Sequence, residues 1–186
     1  KEKAIMQGIA LEAYYNRVEK LNNIAWPILS SSLDFCKGNI TDSIGIEVIS
    51  LNEIDKNYKN AASEKIGLTN EPQILYIIKS SPADLSGLNK KDKIIEISSS
   101  KYTWKGDDIV QNTRKRIFGK DKIKITVERN SEIQIFEVNP VKICNHRIIL
   151  RQDNSLNAFA DGKNIYITQG MLRFIEEDKE LQMVIA

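Results

Sequence analysis

Apolar side chains recur at helical spacing from the start of the chain: Ile5, Ile9, Leu11, Tyr14, Tyr15, Val18 and Leu21. The pattern predicts an amphipathic helix within residues 3–35, broken at Pro27 because proline lacks the amide hydrogen and clashes with the preceding turn. A second short helical stretch is expected over 28–35, stopped by Gly38 and Asn39. From Ile40 to Pro140 the texture changes to short β-branched runs separated by turns: SIGIEVISL, ILYII, KIIEIS, KIKITVE and IQIFEV. Between them, SPADLSGL reads as a helix with Ser81 as N-cap, Pro82 at its first position and Gly87 near its exit. DDIVQNTRKRIF reads as another, capped by Asp107 or Asp108, with Ile109, Val110 and Ile117 on its apolar face. Short strands with two helices predict a compact, partly open barrel.

After Pro140 the run KICNHRIILRQDNSLNAFADGKNIYITQ reads as a strand, a turn and a hairpin whose turn pair is Asp161 and Gly162. Two helices follow, over 169–177 and from 178 onward, the second capped by Asp178 with Glu180 in its first turn. Leu181, Val184 and Ile185 keep helical spacing up to Ala186, and no glycine, proline or basic last turn follows, so this helix reads as cut. The start, which has no Met, reads as clipped too. Without repeats or low-complexity linkers, the junctions near Gly38 and Pro140 divide the chain into residues 1–39, 40–140 and 141–186.

Length, 186 residues with 41% hydrophobic side chains, is enough for one or two buried cores. A net charge of +2 from 27 basic and 25 acidic residues, with no long single-sign run, speaks against a nucleic-acid partner. No apolar run approaches the roughly 20 residues that span a bilayer, and KEKAIMQGIALEAYY lacks the apolar centre of a signal peptide. Cys36 and Cys144 have no metal-ligand spacing and are either two buried thiols or one bridge.

The middle of the chain, from GIEVISL through SPADLSGLNKKDKIIEIS to KIKITVERNSEIQIFEV, resembles a PDZ domain of bacterial envelope proteases, and SPADLSGL followed by KDKII is its most specific part. In physical terms, a small-residue loop beside an edge strand turns backbone amides toward a peptide carboxylate, and the peptide adds as a strand. The resemblance assigns the loop to Ser43, Ile44, Gly45 and Ile46, the pairing strand to 47–49 with Val48, and the facing helical wall to Ile109 and Thr113. The competing reading makes Gly45 a strand bulge and Ile44 and Ile46 core residues. Two departures stand out: Lys91 replaces a usual glycine before Asp92, and Ser99 and Ser100 replace a usual Asn-Gly turn, so both turns are expected to be reshaped.

The closing segment NAFADGKNIYITQGMLRFIEEDKELQMVIA resembles the stretch that precedes the His-Glu-x-x-His motif in HtpX-like and CAAX-prenyl-protease-like zinc metallopeptidases, peptidase family forty-eight. KICNHRIILRQ and the N-terminal helix with Cys36 resemble other early parts of that family. The resemblance implies an α+β architecture in which the PDZ-like barrel is inserted between an N-terminal helical segment and the start of a gluzincin-type peptidase domain. It implies a last helix anchored by Leu181, Val184 and Ile185 that runs into the first zinc ligand, and zinc in the intact parent protein. Two histidines one helical turn apart bind the metal and the glutamate between them serves as general base; none of the three is present here, so this chain itself is expected to hold no catalytic zinc. Its one histidine, His146, reads as a surface or hydrogen-bonded residue. Asn157, Ala158, Phe159 and Ala160 take the role of a substrate-pairing edge strand, against a plainer reading as a core strand with Phe159 buried.

The leading expectation is the front portion of a PDZ-containing zinc metalloendopeptidase, with peptide or unfolded-protein substrates and free C-termini as ligands. A non-enzymatic PDZ adaptor is the alternative. A serine protease of the PDZ-bearing type is disfavoured because its catalytic domain would precede the PDZ unit and no Gly-x-Ser-x-Gly occurs. Cys36 and Cys144 flank the PDZ-like insert, and a bridge between them would fit an oxidising compartment, the cell envelope or outside it.

Overall fold

The computed structural model describes residues 2–186. The chain divides into two compact units, one of residues up to Tyr15 with Asp42–Val141, the other of Asn16–Thr41 with Lys142–Ala186. Helix α1 (Glu2–Ser31) carries Pro27 inside it, where the sequence predicted a break. Proline in a helix interior costs about 3 kcal/mol. Leu21, Ile24, Trp26 and Leu29 around it are buried, and each such side chain contributes about 1.5–3 kcal/mol, so packing outweighs the missing bond and the helix continues. The predicted second helix is reduced to one tight turn, Leu33–Cys36, ended by left-handed backbone at Lys37 and Gly38.

The larger unit is built from β1 (Ile40–Ser43), β2 (Ile46–Ile49), α2 (Lys59–Ala61), β3 (Gln73–Ile77), α3 (Pro82–Ser86), β4 (Lys93–Ser98), β5 (Thr103–Trp104), α4 (Asp107–Lys115), β6 (Ile123–Arg129) and β7 (Glu132–Val138). The strands β2-β3-β4-β6-β7 form one antiparallel path with β5 beside β4. The path does not close, which corrects the expected barrel to an open mixed helix-and-sheet arrangement: β2 and β7 are its ends, and a helix, α4, packs against β2 in place of a further strand. Period-2 burial on β6 sends Ile123, Ile125 and Val127 into a core shared with Val48, Ile74, Ile97, Trp104 and Phe118. A smaller cluster of Ile49, Ile54, Ala62 and Leu68 receives Leu11 and Tyr15 of α1.

The ends of these elements follow local chemistry. Ser81 caps α3 by accepting the Asp84 amide, Pro82 opens the helix and Gly87 leaves it at φ 88°. The cap of α4 is Gly106, at φ 53°, and Asp107 and Asp108 fall in the first turn, where their charge favours the helix dipole. Left-handed Arg116 ends α4, so Ile117 lies beyond the helix and half-exposed instead of on its apolar face. Lys91 keeps the left-handed φ of 70° that a glycine would relieve. The Ser99 turn is reshaped: neither Ser99 nor Ser100 is left-handed, and Ser99 Oγ accepts the Lys101 amide at 3.1 Å. Asp92, buried, is clamped by Arg129 in a two-pronged pair of 2.7 and 2.6 Å, while Arg129 also donates to Gly87 O at 2.9 Å.

In the smaller unit, β8 (Val141–Cys144) and β9 (Arg147–Arg151) split what the sequence predicted as one strand. Then come β10 (Ala158–Ala160), β11 (Asn164–Thr168), α5 (Gln169–Phe174) and α6 (Asp178–Ile185). The sheet order is β10-β11-β9, with β11 parallel to β9 and antiparallel to β10. The β10–β11 turn is shifted by one residue from expectation: Ala160 pairs with Ile165, so Gly162 (φ 87°) and Lys163 are central. Asp161 instead holds the turn by accepting the Lys163 and Asn164 amides at 2.8 and 2.7 Å. Thr168 caps α5, and Glu177, in a capping box with Glu180, caps α6 in place of Asp178. Leu181 and Ile185, one turn apart, are buried, whereas Val184 is 40% exposed and does not anchor the helix.

Candidate functional site

The open edge of β2 is the most distinctive feature of the larger unit. β3 occupies one side of β2, and the other side carries no strand among the described residues. Along β2 the register slips between Glu47 and Val48, a bulge that lies two residues after Gly45 and so is not made by it. Residues 43–46 enter the strand through Gly45 at φ 78°. The glycine is required twice over: its φ is left-handed, and a Cβ there would run into the Ser81 side chain. The loop is fastened by its carbonyls: Ile44 O accepts from the Ala83 amide at 2.9 Å and Gly45 O from the Ile78 amide at 2.8 Å. The Gly45 amide donates to Ser43 Oγ at 3.3 Å.

The structure brings the sequence-selected residues together, with most of their side chains turned inward. Ile44, Val48 and Ile109 belong to the core, Ile46 packs partly buried against it, and Ser43 and Thr113 are buried. Thr113 Oγ1 donates to Ile109 O at 2.7 Å, within its own helix. The competing reading of Ile44 as a core residue therefore holds, and it is compatible with a backbone that faces outward. Sequence reasoning missed the polar residues on the solvent side. Arg114 of α4 forms an ion pair with Glu53, in the turn after β2; a separation of sixty-one positions leaves no sequence signal for such a pair.

In the smaller unit, β10 lies at the edge of its sheet. Asn157 precedes the strand, and its amide donates to Thr168 Oγ1 at 3.1 Å. Phe159 is not a core residue: it is 39% exposed, stacks on Tyr166 with centroids 4.8 Å apart, and lies under the Arg151 guanidinium. A cavity of about 630 Å³ is lined by Ile28, Phe35, His146, Ala158, Phe159 and Val184 among others. Cys36 and Cys144 also line it and are joined in a disulfide, with Cα atoms 5.6 Å apart, within the usual range for a bridge. Asp161 accepts the two backbone bonds of its turn and further bonds from Asn164 Nδ2 and the Tyr166 hydroxyl. The amide donors of Asn164 and Lys163 hold its carboxyl well below the usual carboxylate range.

No family model matches the chain, and no curated protein does. Among solved structures, the chain is similar to the HtrA-type protease AlgW with a decapeptide, at 20% identity and a TM-score of 0.42, over 55% of this chain and 30% of that one. It is also similar to the HtrA3 PDZ domain bound to a phage-derived ligand, at 12% identity and a TM-score of 0.40, over 57% of this chain and 92% of that one. A third is the PDZ domain of a carboxy-terminal protease from Vibrio cholerae in complex with peptide, at 19% identity and a TM-score of 0.37, over 56% of this chain and 97% of that one.

Proposed function

We propose that the larger unit is a PDZ-like module that captures the C-terminal end of an extended polypeptide. The ligand adds as a strand along the open edge of β2, and its carboxylate meets the amides of the 43–46 loop. The observation that carries this reading is the side of β2 that carries no strand among the described residues, entered through the left-handed Gly45 and flanked by α4. A strand edge supplies evenly spaced donors and acceptors, which give affinity without sequence demands, and the loop adds selection for a terminal carboxylate. Ser43 Oγ accepts the Gly45 amide, a bond that a ligand carboxylate would have to replace to use that amide.

We extend the proposal to a role in proteolysis, as the PDZ-bearing front part of a zinc-dependent metalloendopeptidase in which β10 pairs with substrate. The support is the sequence resemblance of residues 141–186 together with the edge position of β10 and its neighbouring apolar cavity. Among the described residues no three His, Cys, Asp or Glu side chains are grouped to hold a metal ion. The Cys36–Cys144 bridge supports a location outside the cytoplasm, and among the described residues no helix is long and apolar enough to cross a membrane.

Fluorescence anisotropy with a labelled decapeptide ending in an apolar residue tests the module. Binding of the free acid is expected, with a loss of roughly tenfold or more for the C-terminal amide, because hydrogen bonds to a charged group contribute about 1.5–3 kcal/mol. Equal affinity for acid and amide sinks the carboxylate reading.

A further inference from the structure

The walls of the β2–α4 groove are tied to each other on the solvent side. Arg114 follows Thr113 on the helical wall, and its guanidinium pairs with the Glu53 carboxylate just past the strand wall. The two side chains are 40% and 28% exposed, so the pair is open to solvent, whereas Val48 and Ile109 of the same two walls are buried. A third element packs on the strand-wall side. Tyr15 of α1 packs on the cluster that contains Ile49 of β2 and Leu51 of the following turn. Its phenol is pushed up to about 12, chiefly by burial and then by Tyr14 and Glu47, with Arg114 acting in the opposite sense.

Resting on the peptide-binding reading above, we propose that Tyr15 and the Arg114–Glu53 pair form a strap across the groove that a ligand must displace, so that the free module is held in a restrained, self-covered form. A peptide strand laid along β2 needs the width between β2 and α4, and the strap fixes that width while joining both walls. The ion pair is exposed enough to open readily, since such pairs contribute little in water. The strap therefore slows entry and trims affinity without abolishing binding. Because α1 supplies Tyr15, anything that draws the start of α1 away from this cluster would loosen the strap, which makes the helix a control point for the groove.

The test compares wild-type protein with Glu53→Gln, Tyr15→Phe and the double variant, using the same free-acid decapeptide and following both affinity and association rate. Circular dichroism and a thermal melt establish that each variant is folded, and Tyr15→Phe keeps the ring that packs on the cluster containing Ile49. Glu53→Gln is expected to bind about two- to five-fold tighter, the range an exposed ion pair allows, and the double variant tighter still. Raising ionic strength should speed association to wild type, whose pair it screens, and leave Glu53→Gln unchanged. Equal binding by all folded variants, or weaker binding by Glu53→Gln, overturns the strap while leaving the peptide groove standing. No binding by any of the four proteins defeats the groove reading and the strap with it.

Discussion

Gly170 has ordinary helical backbone, yet a Cβ at that position would stand against the carbonyl oxygens of Asn154 and Ser155, because the Gly170 amide donates to Asp153 O at 3.0 Å and draws the start of α5 onto that loop. A methyl group can be fitted only by moving main chain. Gly170→Ala is expected to destabilise by about 1–3 kcal/mol, the usual range for overpacking, and an unchanged denaturation midpoint would contradict the close approach. Ser50 is the opposite case. Its buried hydroxyl has no hydrogen-bond partner among the described residues. Deleting a buried polar group that makes no bond removes a desolvation cost of about 1–3 kcal/mol. Ser50→Ala should raise the melting temperature, and a lowered one would show that the hydroxyl is satisfied after all. The roles of both residues depend on what approaches them through space, which is why neither could be singled out from the sequence.

Between elements, Asp92 and Arg129 form a buried polar tie. The carboxylate side chain is 1% exposed and also accepts the Asn89 amide, while the guanidinium stacks over Phe136 and reaches the carbonyl that ends α3. The pair therefore joins the exit of α3, the start of β4 and the end of β6. Removing Arg129 leaves a buried carboxylate without its counterion, which costs about 3–5 kcal/mol, so Arg129→Ala should lower stability by that order in urea denaturation. The hairpin turn offers a pH-dependent counterpart. The Asp161 carboxyl titrates below the ordinary carboxylate range when folded, so its contribution is fully present above the unfolded value near pH 4 and is lost as pH falls through the lower folded value. An NMR titration should place its midpoint below that of the chain's exposed, weakly bonded aspartates, and an ordinary midpoint would remove the turn's carboxylate clamp.

Legibility was greatest where a local rule decided the outcome. The strand runs of the middle segment and the Ser81, Pro82 and Gly87 frame of α3 depend on side-chain alternation, capping and left-handed backbone, all of which act within a few residues. Pro27 misled because burial of the surrounding helix face, a tertiary effect, outweighed a local one. Barrel closure failed for a similar reason: whether β2 meets another strand or α4 is decided across the whole unit. The candidate groove was half legible, its loop and walls by resemblance, but Tyr15, Glu53 and Arg114 meet only after folding.

At the level of the whole chain, the disulfide has an effect that neither cysteine suggests alone. Cys36 and Cys144 both belong to the smaller unit, and the 108-position interval between them contains the whole Asp42–Val141 stretch of the larger one. In the chain-entropy account, closing a loop of that size contributes on the order of 4 to 5 kcal/mol. The bridge also spans this interval, so a chain cut anywhere inside it remains one covalent molecule. Lys56 stands exposed in the turn that follows β2 and is a natural point for such a cut. Brief trypsin treatment that nicks the native protein there should leave a single band on a non-reducing gel and two fragments after reduction, and a thiol titration of the uncut, denatured protein should find no free cysteine. Two free thiols, or separation of the fragments without reductant, would show that the bridge does not form and would withdraw the main support for a location outside the cytoplasm.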